Sequence, residues 1–437
     1  MNIRRIDGIC HGSTVAIVDV LVAGGGIAGL TIALTCHQLG VSVKVFEAAH
    51  ELRPLGLGIN LQPDAVRELF DLGLETELAS IGVETRELAL VGRDGVEVWC
   101  EPRGLAAGSR WPQYAVHRGE LEMMLYRAVL DRLGPKAIAT DHSVTHYEHA
   151  LDSIHVDLTT ADGTTERVDG AVLLGADGLH SKVRAQMFPG DGGPRWGGSV
   201  LWRGTSLSPP IRTGASFVVI GDTAQRFVTF PISDPDTTTG LQVQNWIAEL
   251  AFDANRGWRR GDWNARVPVD DFIGFFEGWQ FEWLDIPALI RRSDAVFEYP
   301  MVDRDPVGHW VHGSVALIGD AAHAMYPVGS NGASQAIVDA RVLGAAFVEH
   351  GPSREALRAY ERELLATRSA LVLHSRGLGP ASILGVVDKR VGAAFGMLGD
   401  LAPTEVEQVI EDYRRTSAAA IHQLNASTST IMPMSGA

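Results

Sequence analysis

The stretch that decides the fold lies near the start of the 437-residue chain and reads Val18-Asp19-Val20-Leu21-Val22-Ala23-Gly24-Gly25-Gly26-Ile27-Ala28-Gly29. The apolar run predicts a buried strand, and the glycines after it match the pattern G-x-G-x-x-G. In such a loop Gly24 allows a tight turn, Gly26 lets a pyrophosphate approach the backbone, and Gly29 lets a helix pack closely on the strand. The free N–H groups at the start of that helix then face the phosphates.

The residues that follow complete a strand–helix–strand unit. An apolar helix is predicted over residues 30–39 and a second strand over residues 41–46, ending at Glu47. Glu47 lies about 20 residues past the glycines, where an acidic side chain binds a ribose hydroxyl. The pattern therefore predicts a dinucleotide site; a plain strand–helix turn without a ligand is the alternative.

The composition favours a small-molecule partner. The chain is 46% hydrophobic and 21% charged, with a formal net charge of −16, which opposes nucleic acid and anionic membranes. Its three cysteines fit neither a disulfide framework nor a metal clip, so a reducing cytoplasm is expected. No run is apolar enough to predict a membrane span. We expect a monomer or a homodimer.

The patterns along the chain predict a discontinuous organisation. The fold class is α/β, with a doubly wound, Rossmann-like dinucleotide domain, an inserted and mainly antiparallel β-sheet domain, and a helical C-terminal region. The predicted ranges are 15–80, 108–195 and 299–375 for the dinucleotide domain, 81–107 and 196–298 for the inserted domain, which would bind the substrate, 376–426 for the C-terminal helices, and 1–14 and 427–437 for loose ends.

Aromatic residues are concentrated between Trp196 and Trp283, which hold seven of the ten tryptophans. Short alternating runs there predict a sheet, and some of its rings should line a pocket for a flat ligand, while the others form a core. Arg203 and Arg226 are candidates to bind a substrate carboxylate. The candidate substrate residues are Arg203, Phe230, Trp246 and Tyr326.

Three stretches share one design, in which an apolar strand ends in glycine or polar residues. They are Gly24 to Gly29, Gly175 to Gly178 and Gly319 to Gly332. The carboxyl ends of parallel strands meet at one sheet edge, where ligands bind, so we expect all three to meet there. Only the first contains a nucleotide fingerprint, which predicts one tightly held dinucleotide.

Together these stretches resemble the group A, single-component aromatic hydroxylases that use one FAD and share the p-hydroxybenzoate hydroxylase fold. Three motifs carry the resemblance: the glycine loop, Ala176-Asp177-Gly178-Leu179-His180-Ser181-Lys182-Val183-Arg184, and Gly319-Asp320-Ala321-Ala322-His323 followed by Pro327 and Gly329. Within that family the chain is most similar to the hydroxylases of phenazine-1-carboxylate derivatives. The motifs shared with these hydroxylases are Ile59-Asn60-Leu61-Gln62-Pro63, Val116-His117-Arg118-Gly119-Glu120-Leu121, Trp202-Arg203-Gly204, the run from Tyr299 to Pro306, and the run from Gly332 to Ile337.

The resemblance implies a role for each motif. Glu47 would bind the adenosine ribose, Arg118 the flavin phosphate or ribityl chain, and Asp320 a ribityl hydroxyl, while Asp177 would support a loop that touches FAD and reductant. The flavin loop (Pro327 to Gly332, including Gly329 and Asn331) would direct N–H groups at the flavin ring. The implied cofactor-binding residues are Gly24, Gly26, Ala28, Gly29, Glu47, Arg53, Gly58, Arg118, Asp177, Asp320, Pro327, Gly332 and Ala333.

The implied chemistry is hydroxylation of an aromatic or heteroaromatic molecule, with or without decarboxylation, through a flavin C4a-hydroperoxide formed from NADH or NADPH and O2. A phenazine carboxylate is the leading substrate. The alternative substrate is another polycyclic molecule, such as a quinolone or polyketide. The alternative protein classes are an NAD-dependent dehydrogenase and a flavin-binding protein without turnover.

Two positions depart from the family pattern. The family's usual Gly-Gln-Gly-x-Asn loop is replaced by Gly329-Ser330-Asn331-Gly332, and the Arg-Pro pair expected after Tyr360-Glu361 by Leu364-Leu365-Ala366. Histidines at 142, 146 and 149 alternate as on a strand rather than converging on a metal, so no metal site is predicted. His323 is expected to lie structurally behind the flavin loop, with a catalytic base as the alternative.

Overall fold

The structure is a computed structural model that describes residues 18–54, 56–151, 153–252, 265–377 and 420–431. Its strands are β1 (Val18–Ala23), β2 (Val43–Phe46), β3 (Gly58–Leu61), β4 (Gly82–Glu84), β5 (Glu87–Val91), β6 (Glu97–Pro102), β7 (Tyr114–His117), β8 (Ile138–Ala139), β9 (His142–His149), β10 (Ile154–Thr160), β11 (Thr165–Gly175), β12 (Arg195–Ser208), β13 (Ser216–Gly221), β14 (Gln225–Pro231), β15 (Gln242–Ala251), β16 (Ala265–Arg266), β17 (Gln280–Phe281), β18 (Leu284–Asp285), β19 (Val296–Asp303), β20 (Val311–His312) and β21 (Val315–Leu317). Its helices are α1 (Ile27–Leu39), α2 (Pro63–Asp71), α3 (Glu75–Ile81), α4 (Arg118–Leu133), α5 (Lys182–Met187), α6 (Ile286–Arg291), α7 (Asp320–His323), α8 (Gly332–His350) and α9 (Arg354–Ser375).

The first sheet forms the dinucleotide domain. Its order is β20-β21-β11-β1-β2-β8, and β21, β11, β1, β2 and β8 run parallel. Ala23 is paired with both Gly175 and Phe46, and Gly175 is paired with Leu317. Four strands therefore end side by side, and the three stretches that follow β1, β11 and β21 emerge at one edge, as the sequence predicts.

The second sheet has the order β16-β19-β12-β15-β14-β13-β5-β6 and is antiparallel except between β13 and β5. One face carries a buried core that includes Trp202, Phe227 and Trp246 and is covered by residues such as Phe272 and Phe276. The opposite face is turned towards β3, because Asn245 and Phe230 meet Gly58 there. The structure thus confirms the predicted α/β fold class with its second, mainly antiparallel sheet.

The end of the chain differs from the prediction of a loose tail at 427–437. Ser427 and Thr430 hydrogen-bond Arg67, Thr430 also bonds Glu68, and Ile431 is 6% exposed. The prediction was wrong for residues 427–431, because these hydroxyls satisfy a buried ionic cluster on α2 that composition does not reveal. The extension at 1–14, residues 432–437 and most of the predicted helical region 376–426 lie outside the described residues, although residues 420–426 are helical. The domain boundaries stay a prediction.

Candidate active site at the meeting of the two sheets

The glycine loop has the geometry that its three glycines predict. Gly24 has φ +99°, and a Cβ on it would lie 2.5 Å from the Ala176 oxygen. A Cβ on Gly29 would lie 2.0 Å from the Gly24 oxygen, so α1 packs directly on the turn. Around Gly26, in contrast, no described atom lies within 4 Å of an added Cβ. The loop therefore leaves open space where a pyrophosphate would approach.

Glu47 directly follows β2 and lies next to this loop. Its Oε2 accepts a hydrogen bond from the Gly25 N–H at 2.7 Å, and its Oε1 accepts one from the Ala49 N–H at 2.8 Å. These two bonds fix the carboxylate beside the start of α1. The carboxylate that we predict to bind the ribose therefore lies beside the glycine loop.

Asp177 follows β11 and packs against the same turn through Ala176. Its Oδ2 accepts from the N–H groups of Lys182 and Val183 at 2.7 and 3.2 Å, which caps α5. Burial raises the pKa of Asp177, although these bonds oppose the change. Its Oδ1 is buried without a hydrogen-bond partner among the described residues, so the loop retains an acceptor for a ligand hydroxyl or amide.

Asp320 begins α7 and is exposed at the same edge. The preceding Gly319 has φ +59°, and a Cβ on it would meet the Cβ atoms of Ala28 and Ala336 at 2.9 and 3.4 Å. The starts of α1, α7 and α8 therefore converge through small residues, with Asp320 directed outward from this junction.

His323 belongs to a buried support behind Asp320. It is 2% exposed, and its Nε2 lies 2.5 Å from Asp339 Oδ2. Asp339 also accepts from the Gly319 N–H at 3.1 Å and from Arg368 Nε at 3.1 Å. Burial disfavours the charged form of Asp339, yet His323 and Arg368 hold its pKa below the usual range. These contacts agree with a structural role for His323.

The flavin loop leads into the N-terminus of α8. Gly329 and Ser330 have φ values of +81° and +56°, and Gln62 Nε2 donates to the Gly329 oxygen at 3.2 Å. No described side chain caps the first turn of this 19-residue helix at Asn331. Pro327 and Gly329 are exposed, and Asn331, Gly332 and Ala333 are half-buried. Uncapped N–H groups at a helix start form a natural anion site.

Arg118 and Arg203 bring positive charge to this region from two elements. Arg118 begins α4 and pairs with Glu122 at 3.0 Å. Arg203 lies on β12, donates from Nη2 to the Gly58 oxygen at 2.9 Å and lies over the Tyr299 ring at 5.7 Å. No carboxylate among the described residues forms an ion pair with Arg203, and its Nε has no hydrogen-bond partner there. Burial lowers the pKa of Arg203.

The remaining candidates differ in whether they face this region. Phe230 lies on the same sheet face as Arg203, is 3% exposed and stacks on Phe217. Tyr326 is buried against Leu201 and Met301, beside the same face. Arg226 is neutralised by Glu249, which removes it as a free cation.

The structure does not bring Trp246 to this region. Its ring points to the opposite face of β15 from Asn245, and its Nε1 donates to Ser206 and Ser293 at 3.1 and 2.9 Å. Strand alternation places it in the core with Phe227. Arg53 is likewise not brought to the site, since its exposed side chain pairs with Glu51 at 2.9 Å.

Sequence reasoning missed Asn245, whose Oδ1 accepts from the Gly58 N–H at 2.8 Å. Alternation along β15 shows only that Asn245 and Trp246 lie on opposite faces, so the sequence gives no signal for which of the two meets Gly58. No group of three or more His, Cys, Asp or Glu side chains suited to a metal occurs within the ranges that the structure describes. Within those ranges, too, no helix has the length and apolar character that crossing a membrane requires.

These features together fit FAD. The open approach at Gly26, the carboxylate at the end of β2, the orphaned acceptor on Asp177 and the uncapped start of α8 lie along one sheet edge. The doubly wound sheet, this edge and the second sheet beside it are the arrangement expected of an FAD-binding enzyme.

The family comparison makes the assignment specific. The sequence model of the FAD binding domain family matches residues 17–199 and 298–375, and the chain belongs to this family. It is an FAD-dependent monooxygenase of the aromatic hydroxylase group, with NAD(P)H and O2 as co-substrates. This membership excludes the alternative of an NAD-dependent dehydrogenase.

Two relatives illustrate the similarity. The chain is 41% identical over 368 residues to the phenazine 1,6-dicarboxylic acid hydroxylase of Lysobacter antibioticus, covering 83% of this chain and 90% of that protein. It is 32% identical over 366 residues to the aurachin C monooxygenase/isomerase of Stigmatella aurantiaca, covering 83% and 89%. Among solved structures, Klebsiella pneumoniae HpxO complexed with FAD and uric acid matches with a TM-score of 0.70 at 24% identity, over 93% of this chain and 96% of that chain. This last match shows the shared fold.

Proposed function

We propose that the chain hydroxylates an aromatic carboxylate and that a phenazine carboxylate is the leading substrate. The observation that carries the proposal is Arg203, a cation without a carboxylate partner among the described residues, on the sheet face that meets the flavin domain. Arg118, which is paired with Glu122, also lies nearby, since both arginines oppose the rise in the Tyr299 pKa that burial causes. The 41% identity to a phenazine dicarboxylate hydroxylase supports the same class of ligand.

The proposed cofactor contacts follow the sheet edge. Gly26 would leave room for the pyrophosphate, with Gly24 and Gly29 shaping the turn beside it, Glu47 would hold the adenosine ribose, and Asp320 would accept from the ribityl chain. Arg118 and Asp177 would flank the same path, and the N–H groups that follow Pro327 would face the flavin ring. A cation or helix start beside developing negative charge stabilises it by about 0.3–1 kcal/mol when exposed and up to about 2 when partly buried.

The protein's part in the reaction is binding, orientation and exclusion of water. Electron uptake from NAD(P)H and activation of O2 are supplied by FAD when it is bound. Arg203 would hold the carboxylate with charge-assisted hydrogen bonds, which are about twice as strong as neutral ones. Phe230, Tyr326 and Tyr299 supply apolar walls that keep water from the ring. Location in the cytoplasm and assembly as a monomer or homodimer stay predictions.

The test is an anaerobic reduction experiment on the FAD-loaded protein. NADH or NADPH is added with and without phenazine-1-carboxylate, bleaching of the flavin is followed, and products are analysed after air is admitted. Faster bleaching with ligand and a hydroxylated phenazine are the expected results. Reduction that is indifferent to this ligand would contradict the proposed substrate, and a quinolone or polyketide panel then separates the alternatives.

A further inference from the structure

The short segment Gly56-Leu57-Gly58 lies between the two sheets and is held from both sides. On the flavin-domain side, the Leu57 oxygen accepts from the Arg118 N–H at 2.9 Å, and Gly58 pairs with His117 between β3 and β7. A Cβ on Gly56 would lie 3.5 Å from the Arg118 side chain. The segment is therefore fixed to the start of α4, which carries a proposed cofactor residue.

On the other side, two side chains of the second sheet bind the same residue, Gly58. Asn245 Oδ1 accepts from its N–H at 2.8 Å, and Arg203 Nη2 donates to its oxygen at 2.9 Å. A Cβ on Gly58 would lie 2.6 Å from Asn245 and 2.8 Å from Phe230. Only glycine leaves room for this approach, so the contact is direct and closely packed.

The orientation of the Asn245 amide follows from this contact. The Gly58 N–H can only donate, so the amide oxygen must face it. The Nδ2 group is then left buried and without a hydrogen-bond partner among the described atoms, in a side chain of 0% exposure. Burying an unpaired donor is unfavourable, so the bond to Gly58 is what this amide contributes to the interface.

We propose that Asn245 is a positioning residue that couples the second sheet to the segment Gly56–Gly58 and, through it, to the flavin site. The inference rests on the proposed function in one respect, namely that the flavin ring lies beside this segment. Arg203, the proposed carboxylate ligand, holds the opposite side of the same peptide segment through the Gly58 oxygen. A ligand that binds Arg203 is therefore linked to Gly58 through the Gly58 oxygen, and the N–H of the same Gly58 is held by Asn245.

The neighbouring residue offers a matched control. Gln244 is also 0% exposed and is also an amide on β15, but it lies on the opposite face and accepts from Thr229 at 3.3 Å. Asn245→Ala and the nearly isosteric Asn245→Leu both remove the acceptor for Gly58. Asn245→Asp keeps an acceptor oxygen, and Gln244→Ala removes a buried amide without touching Gly58.

The first readout is amide hydrogen exchange of a peptide covering residues 56–58 in the FAD-loaded protein. We expect exchange at least about fivefold faster in Asn245→Ala and Asn245→Leu, because the Gly58 N–H loses its acceptor. Exchange in Asn245→Asp and Gln244→Ala should stay within about twofold of wild type. Unchanged exchange in both Asn245→Ala and Asn245→Leu would overturn the anchoring of Gly58. If the alanine variant does not fold, the leucine variant decides alone.

The second readout tests coupling to the flavin. We expect the visible absorption and fluorescence of bound FAD to change in Asn245→Leu but not in Gln244→Ala, and the spectral response to an aromatic carboxylate to be at least halved. Faster exchange with wild-type flavin spectra would overturn the coupling. Absence of a hydroxylated phenazine in the wild-type reaction would instead count against the proposed substrate, and it would leave the exchange and ligand-free spectral results unaffected.

Discussion

At the residue scale, glycine serves two different purposes in the glycine loop, close packing at Gly29 and open space at Gly26. Gly29 is required by the fold, since a side chain there would overlap the Gly24 oxygen at 2.0 Å, whereas Gly26 faces space that no described atom fills. A glycine that packing does not require, in a motif of this kind, is explained by a ligand that approaches the backbone. Substitutions at Gly26 and Gly29 are therefore expected to have different effects on stability and on FAD binding.

Gly26→Ala should fold normally and lose FAD. Its backbone is extended, with φ −78°, so an alanine adds no strain, and we expect the unfolding free energy of the apoprotein to change by less than about 0.5 kcal/mol. FAD affinity should fall at least about tenfold because the methyl group occupies the pyrophosphate approach. Titration of apoprotein with FAD, followed by flavin fluorescence, measures this effect.

Gly29→Ala should instead lose both stability and FAD, because the backbone must move. Gly308→Ala is the control for an added methyl group, since no described atom lies within 4 Å of its Cβ and it lies outside the glycine loop. Wild-type FAD affinity in Gly26→Ala would contradict the assignment of the open space to the cofactor.

Arg203 carries the proposed substrate preference. Removing the guanidinium in Arg203→Ala should raise KM for a carboxylate substrate by about 10- to 100-fold, since a hydrogen bond to a charged group contributes about 1.5–3 kcal/mol. The corresponding carboxamide should be affected far less. Steady-state kinetics with the acid and amide forms of one substrate measure the difference, and equal losses for both would argue against a carboxylate contact.

At the element scale, comparing the predicted strands and loops with the structure shows which parts of the site can be predicted from a single sequence. Strands with long apolar runs, such as β1 and β11, and the loops that follow them were predictable because glycine and strand patterns are local. The faces of β15 were not, since alternation shows only that Asn245 and Trp246 point in opposite directions. Which face meets the flavin domain depends on the pairing with β12 and the packing of β3, both distant in sequence.

The support behind α7 and α8 also depends on distant partners. Asp339 joins Gly319, His323 and Arg368. Asp339→Asn should lower the unfolding free energy by about 3–5 kcal/mol at neutral pH, because it leaves buried basic groups without their counter-charge. Denaturant unfolding measures the loss, with the exposed Glu349→Gln on the same helix as control.

The same carboxylate makes a signed prediction for pH. The pKa of Asp339 is lower in the folded protein than its usual value of about 3.9, so its contribution to stability is present above that value and is lost as the pH falls through the folded pKa. The difference in unfolding free energy between wild type and Asp339→Asn should therefore shrink below about pH 4. A difference that stayed constant down to pH 2 would contradict this account.

At the scale of the whole molecule, residues 427–431 pack against the domain that contains β1 and α1. Ile431 packs where α1 and α8 meet, since a Cβ on Gly344 would lie 2.3 Å from Thr35 and 2.9 Å from Ile431. The helices joined there begin at the glycine loop and the flavin loop. Composition predicted a loose end because it records Ser, Thr and Gly but not the buried Glu68 and Arg67 that bind them.

Ile431→Ala therefore tests whether this terminal segment stabilises the cofactor domain. Truncating a buried aliphatic side chain to alanine usually lowers the unfolding free energy by about 2–5 kcal/mol. If the segment detaches before the domain unfolds, however, the loss cannot exceed the free energy with which the segment docks on the domain. We expect a loss of about 1–3 kcal/mol together with faster hydrogen exchange in residues 420–431. Leu373→Ala, at a position that is 53% exposed, should change neither quantity. Unaltered stability and exchange in Ile431→Ala would show that the domain does not depend on this contact.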